Sequence, residues 1–121
     1  MLYLKRKIDA FLAEWKANPD RKPLIVKGPR QVGKTESIKR FGEMNYRSVI
    51  IINFVEEPKY KMITADGYKA EDIIKNISRM DPSKRFIKGE TLIFFDELQE
   101  FPEIATALKF FKIDGRFDVI C

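Results

Sequence analysis

The chain has 121 residues, 45% of them hydrophobic, and a formal net charge of +5. That is one small domain or part of a larger one, able to form a core, with no run near the ~18–20 apolar residues of a membrane span. One cysteine, Cys121, and no histidine exclude an internal disulfide, Cys/His zinc sites and imidazole acid–base chemistry, so any metal must be held by oxygen ligands, which favours Mg²⁺.

The N-terminus, MLYLKRKIDAF, carries charges where a signal peptide needs its apolar centre, so a soluble, cytoplasmic protein is expected. Basic residues fall in small groups, Lys5-Arg6-Lys7, Arg21-Lys22, Lys39-Arg40 and Lys84-Arg85. They lack an aromatic stacking pattern and are interspersed with acids. A solvated surface therefore explains them better than a nucleic-acid footprint.

Along the chain, Leu4, Ile8, Phe11, Leu12 and Trp15 recur at helical spacing and predict an amphipathic helix over about residues 2–17. Asn18-Pro19 ends it, because the residue before proline avoids the helical region. Leu24 to Lys27 reads as a short apolar strand, and residues 34–42 as a helix with Ile38 and Phe41 on one face. SVIIINF, residues 48–54, is β-branched and continuously apolar, the pattern of a strand buried on both faces of a parallel sheet. Residues 58–88 read as mostly helical with breaks, and Ile73, Ile74, Ile77 and Met80 form one stripe. TLIFFDE, residues 91–97, is a further strand that ends in two acids. A helix over about 103–112 follows, then Asp114-Gly115 and a last apolar strand, FDVIC. Alternating strands and helices argue for an α/β fold with a largely parallel sheet sandwiched by helices. The expected organisation is an N-terminal helix over residues 1–20 and a core over 21–121. Because the chain stops inside an apolar strand, that core is expected to be incomplete at its C-terminus.

The stretch GPRQVGKTE, residues 28–36, lies between a predicted strand and a predicted helix. Gly28-x-x-x-x-Gly33-Lys34-Thr35 fits the phosphate-binding P-loop (Walker A) pattern. Glycines there allow torsions that turn consecutive N–H groups onto phosphate oxygens, and the helix beginning near Lys34 adds the positive end of its dipole. The candidate nucleotide-binding residues are Gly28, Pro29, Arg30, Gln31, Val32, Gly33, Lys34, Thr35 and Glu36. Lys34 supplies a point charge to the β- and γ-phosphates, and the Thr35 hydroxyl is a hard ligand for Mg²⁺. At the carboxyl end of the strand TLIFF, Asp96 is the second candidate metal ligand (Walker B), and Glu97 is suited to accept a proton from the attacking water. A GTPase would place a glycine where Gln99 stands, and Phe111-Lys112-Ile113-Asp114 lacks the asparagine of a guanine-reading loop. ATP is the expected nucleotide.

PLIVKGPRQVGKT, IINF, TLIFFDELQEFPE, LKFF and FDVI together resemble a family of prokaryotic AAA+ ATPases that carry a C-terminal extension. The resemblance covers nearly all of residues 20–121, and GPRQVGKT and FFDELQ are its specific parts. It implies a five-stranded parallel sheet of order 5-1-4-3-2, with ATP and Mg²⁺ as ligands. It also implies a polar residue at the end of the second strand, here Asn53, that can hold the catalytic glutamate. The alternative for Asn53 is a strand-end asparagine bonding its own backbone. Such ATPases also have a sensor residue, a fifth strand and a helical lid past the point where this chain ends; neither Arg30 nor Arg116 can be assigned as an arginine finger. The expected function of the full-length protein is a Mg²⁺-dependent ATPase acting on an unknown partner or appended domain, with a homo-oligomer possible; the stretch ending at Cys121 is expected to be weak or inactive by itself. A slow nucleotide switch or a nucleic-acid binder are the alternatives.

Overall fold

The computed structural model describes residues 2–26 and 34–121. Its elements run α1 (Leu2–Ala17), α2 (Lys34–Asn45), β1 (Ser48–Asn53), α3 (Ala70–Met80), β2 (Thr91–Asp96), α4 (Ile104–Asp114) and β3 (Asp118–Ile120). Two short 3₁₀ helices, Pro58–Thr64 and Leu98–Glu100, follow β1 and β2 respectively. The three strands are parallel, in the order β1-β2-β3. Leu24 adds a parallel bridge to Ile120 on the far side of β3.

Among the described residues, which leave out Lys27, that bridge is what forms of the strand expected at Leu24 to Lys27. Its hydrogen bonds are regular: Leu24 N to Val119 O at 2.9 Å, Cys121 N to Leu24 O at 2.8 Å and Val26 N to Cys121 O at 3.0 Å. Read across the sheet, the order is residues 24–26, β3, β2, β1. This is the 1-4-3-2 portion of the order that the resemblance implies.

Side-chain alternation along β2 explains the three layers. Ile93 and Phe95 point to one face, where Ile73 and Ile77 of α3 and Ile104 and Phe111 of α4 cover them. Leu92 and Phe94 point to the other, against Ile38 and Phe41 of α2 and Leu12 of α1. β2 is therefore buried on both faces, as its uninterrupted apolar run requires. β1 lies at the edge of the sheet and is less enclosed than SVIIINF suggests: Ile50 and Ile52 are buried, while Val49 and Ile51 are half-buried. In α1, Leu12 is buried at the centre of the stripe; Phe11 sits at its rim and stays 50% exposed. The α3 stripe buries Ile73 and Ile77 completely, each worth about 1.5–3 kcal/mol of transfer free energy. At the end of α4, Gly115 takes a left-handed conformation (φ 70°) that closes the helix, as Asp114-Gly115 predicts.

Gly42 marks the closest approach of α2 to the sheet. A Cβ there would lie 3.0 Å from Val49 Cγ2 and 3.1 Å from Leu92 Cδ2. Val49 is β-branched and rotationally stiff, so it cannot move aside cheaply. Overpacking of this kind costs about 1–3 kcal/mol, against about 1 kcal/mol of gained helix propensity. Gly42→Ala is expected to lower the melting temperature, whereas Glu43→Ala, on the exposed neighbour, is not; thermal denaturation of the two variants checks this.

Candidate nucleotide site

Parallel pairing brings Asn53 and Asp96 level at the carboxyl ends of β1 and β2, since they are partners in register. α2 begins at Lys34, so Lys34 and Thr35 stand at its N-terminus on the same side of the sheet. The four side chains converge. Thr35 Oγ1 donates to Asp96 Oδ2 at 3.4 Å, and Asn53 Nδ2 approaches the same oxygen at 3.4 Å. Lys34 Nζ donates to the carbonyl of Val26 at 3.1 Å, at the end of the strand-like segment. Both contacts to Asp96 are long for hydrogen bonds and weak in themselves.

Asp96 is half-buried beneath this cluster. Burial raises its carboxyl pKa above the usual carboxylate range, and the Glu97 charge acts in the same direction. The Glu97 N–H, which donates to Asp96 Oδ1 at 2.9 Å, together with Thr35 and Lys34, pulls the other way. A half-buried carboxylate in this state gains from a cation. Among the described residues the Thr35 hydroxyl and the Asp96 carboxylate meet here, hard oxygen donors that suit Mg²⁺. Adjacent ligands of an octahedral Mg²⁺ lie roughly 2.9 Å apart, so the 3.4 Å between Thr35 Oγ1 and Asp96 Oδ2 needs little closure. Among the described residues no group of three or more Asp, Glu, His or Cys could hold a metal alone. The arrangement fits a metal that shares its coordination with substrate phosphates, as Mg²⁺ does in nucleotide sites.

Asn53 has a second task. Its Oδ1 accepts the N–H groups of Val55 at 2.8 Å and Glu56 at 3.0 Å, capping the turn that leaves β1. One side chain thus fixes the turn through its oxygen and reaches Asp96 through its nitrogen.

Glu97 is the residue at which the chain departs from ordinary backbone geometry. It has φ 63° and ψ 49°, the one positive-φ residue other than glycine among the described residues. Left-handed geometry costs a non-glycine residue about 1–2 kcal/mol. The turn bonds Glu97 on both backbone groups, since Glu100 N donates to Glu97 O at 3.0 Å. Its side-chain Oε1 accepts from Gln99 Nε2 at 3.2 Å. In the sequence Gln99 stands only as the residue where a GTPase would carry a glycine; its place two residues after Glu97 is the one signal there of this contact. Glu36 is exposed on the first turn of α2 and sits 4.0 Å from Lys39 Nζ. Gly28, Pro29, Arg30, Gln31, Val32 and Gly33 lie outside the described residues.

A family model described as an AAA domain matches residues 20–121. The chain belongs to the AAA domain family. No curated protein and no solved structure matched it. The matched region begins just after α1 and takes in all three strands, α2 and every site residue named above. The small parallel sheet flanked by helices is the P-loop NTPase-type arrangement expected of an AAA domain, and the family is one of nucleotide-binding, ATPase-type domains. Among the described residues no helix is long and apolar enough to cross a membrane.

Proposed function

We propose that this AAA domain binds ATP with Mg²⁺ between the N-terminus of α2 and the carboxyl ends of β1 and β2, and hydrolyses it. The observation that carries the proposal is the meeting of Thr35 and Asp96, residues 61 apart in sequence, at 3.4 Å beside Lys34. The hydroxyl and the carboxylate, with the ammonium group next to them, stand at the carboxyl edge of a parallel sheet, where ligands of open α/β sheets bind.

In this reading residues 28–36 bind the triphosphate, with Lys34 Nζ on the β- and γ-phosphate oxygens. Thr35 and Asp96 would hold Mg²⁺, which would neutralise developing phosphate charge. Glu97 orients a water and takes its proton as the water oxygen bonds to the γ-phosphorus. The bond from that phosphorus to the β–γ bridging oxygen breaks, leaving ADP and phosphate. Asn53 steadies Asp96 and the turn after β1. The work this hydrolysis drives falls on a partner or an appended domain, and assembly of several copies fits the same reading.

Lys34→Ala tests the assignment. A charge-assisted contact contributes about 1.5–3 kcal/mol, so ATP affinity is expected to fall by roughly 10–10²-fold. Calorimetric titration of both proteins measures it, and equal affinities would sink the proposed binding mode.

A further inference from the structure

We propose that Gln99 is the positioning residue for Glu97, and that the 3₁₀ turn Leu98–Glu100 is the rigid mount for the pair. The inference rests on the assignment of Glu97 as the group that takes the proton from water.

A glutamate side chain has three rotatable bonds, and a proton acceptor works only within hydrogen-bond reach of its water. A hydrogen bond to its carboxylate narrows that choice. The backbone of Glu97 is already fixed, by Asp96 Oδ1 on its N–H and by Glu100 N–H on its carbonyl. The next turn is fixed as well. Phe101 N–H donates to Leu98 O at 2.9 Å, and the Phe101 ring is buried 5.0 Å from the Phe54 ring, which stacks on Phe95 of β2. Gln99 is therefore held between two anchored points. From there its amide reaches Glu97 Oε1 at 3.2 Å.

The chemistry of the amide suits the task. A neutral donor directs a carboxylate without cancelling the negative charge that accepts the proton; a lysine at the same place would form an ion pair and compete with the water. Gln99 is itself exposed, so substituting it leaves the core untouched.

Two variants separate positioning from packing. Gln99→Ala deletes the donor. Gln99→Glu keeps the shape of the side chain but sets a like charge against Glu97. Both are expected to bind ATP within about twofold of wild type. A misplaced catalytic group loses up to about 10²-fold; Gln99→Ala is expected to lose roughly 10-fold in kcat, and Gln99→Glu more. Equal turnover in all three proteins overturns the proposal. So does a Gln99→Glu variant more active than Gln99→Ala, the order expected if the side chain merely packs the turn. An independent readout is the side-chain amide resonance of Gln99 in ¹⁵N-edited NMR spectra of the whole chain, which is expected to move in Glu97→Ala. An unmoved resonance overturns the pairing. Absence of ATP turnover in wild type removes the functional assignment of Glu97 and the role of Gln99 with it, while the NMR response still reports on the pair.

Discussion

Glu97→Gln is expected to bind ATP as wild type does and to lose roughly 10²–10⁴-fold in turnover, the usual range for a positioned acid–base group. Glutamine preserves length and can still occupy the left-handed position that the turn imposes at φ 63°. What it removes is the proposed proton acceptor, next to the carboxylate of Asp96 that is proposed to hold the metal. Affinity is expected to persist because the phosphate contacts are assigned to residues 28–36. Single-turnover hydrolysis separates the two quantities. A wild-type rate in the variant would show that Glu97 is not the base. A parallel loss of affinity would show that the turn, not the proton acceptor, has been damaged.

Asp96→Asn is expected to act in opposite directions on stability and on activity. Burial first, and then the Glu97 charge, raise the Asp96 carboxyl pKa in the folded chain. The folded state therefore binds a proton more tightly than the unfolded state. Across the window between the ordinary aspartate pKa and the raised one, stability falls as pH rises, and at neutral pH the cost of the buried charge is fully present. Asparagine removes that charge while keeping an acceptor oxygen for the Glu97 N–H. The metal-free variant should melt above wild type at neutral pH, and the difference should vanish in acid below the ordinary aspartate range. Activity should move the other way. Loss of the anionic metal ligand removes several kcal/mol of transition-state stabilisation, roughly 10³-fold in turnover. Melting curves at several pH values, with and without Mg²⁺, test the pair of effects. A variant less stable than wild type at neutral pH would contradict the assignment of strain to the Asp96 charge.

Those features of the fold that rest on local periodicity were legible in the sequence. The α3 stripe of Ile73 and Ile77 and the run TLIFF could be read because each buries its apolar residues through its own spacing. The meeting of Thr35 and Asp96 was legible because two spaced motifs each require a strand end or a helix start. Residues 24–26 were harder to delimit: three backbone hydrogen bonds to Val119 and Cys121 make a bridge there, and nothing in three apolar residues says how far pairing extends. Asn53 could be read two ways, as the residue that holds the catalytic glutamate or as a strand-end asparagine bonding its own backbone; its contacts are with the turn and with Asp96, the neighbour of that glutamate. The pairing of β1 with β2 sets its nitrogen beside Asp96, while its oxygen caps the turn two and three residues on. The left-handed geometry of Glu97 left no trace in composition, since glutamate has no preference for that region. It arises from the abrupt passage from a central strand into a 3₁₀ turn pinned by Phe101.

Equilibrium dialysis of the wild-type protein against labelled ATP, with Mg²⁺ and again after chelation, decides whether this is a metal-dependent nucleotide site. Saturable binding of one nucleotide per chain is expected, weakened when the metal is withdrawn because Thr35 and Asp96 would then lose the ion through which they reach the phosphates. No saturable binding in the presence of Mg²⁺, or binding indifferent to the metal, would contradict it.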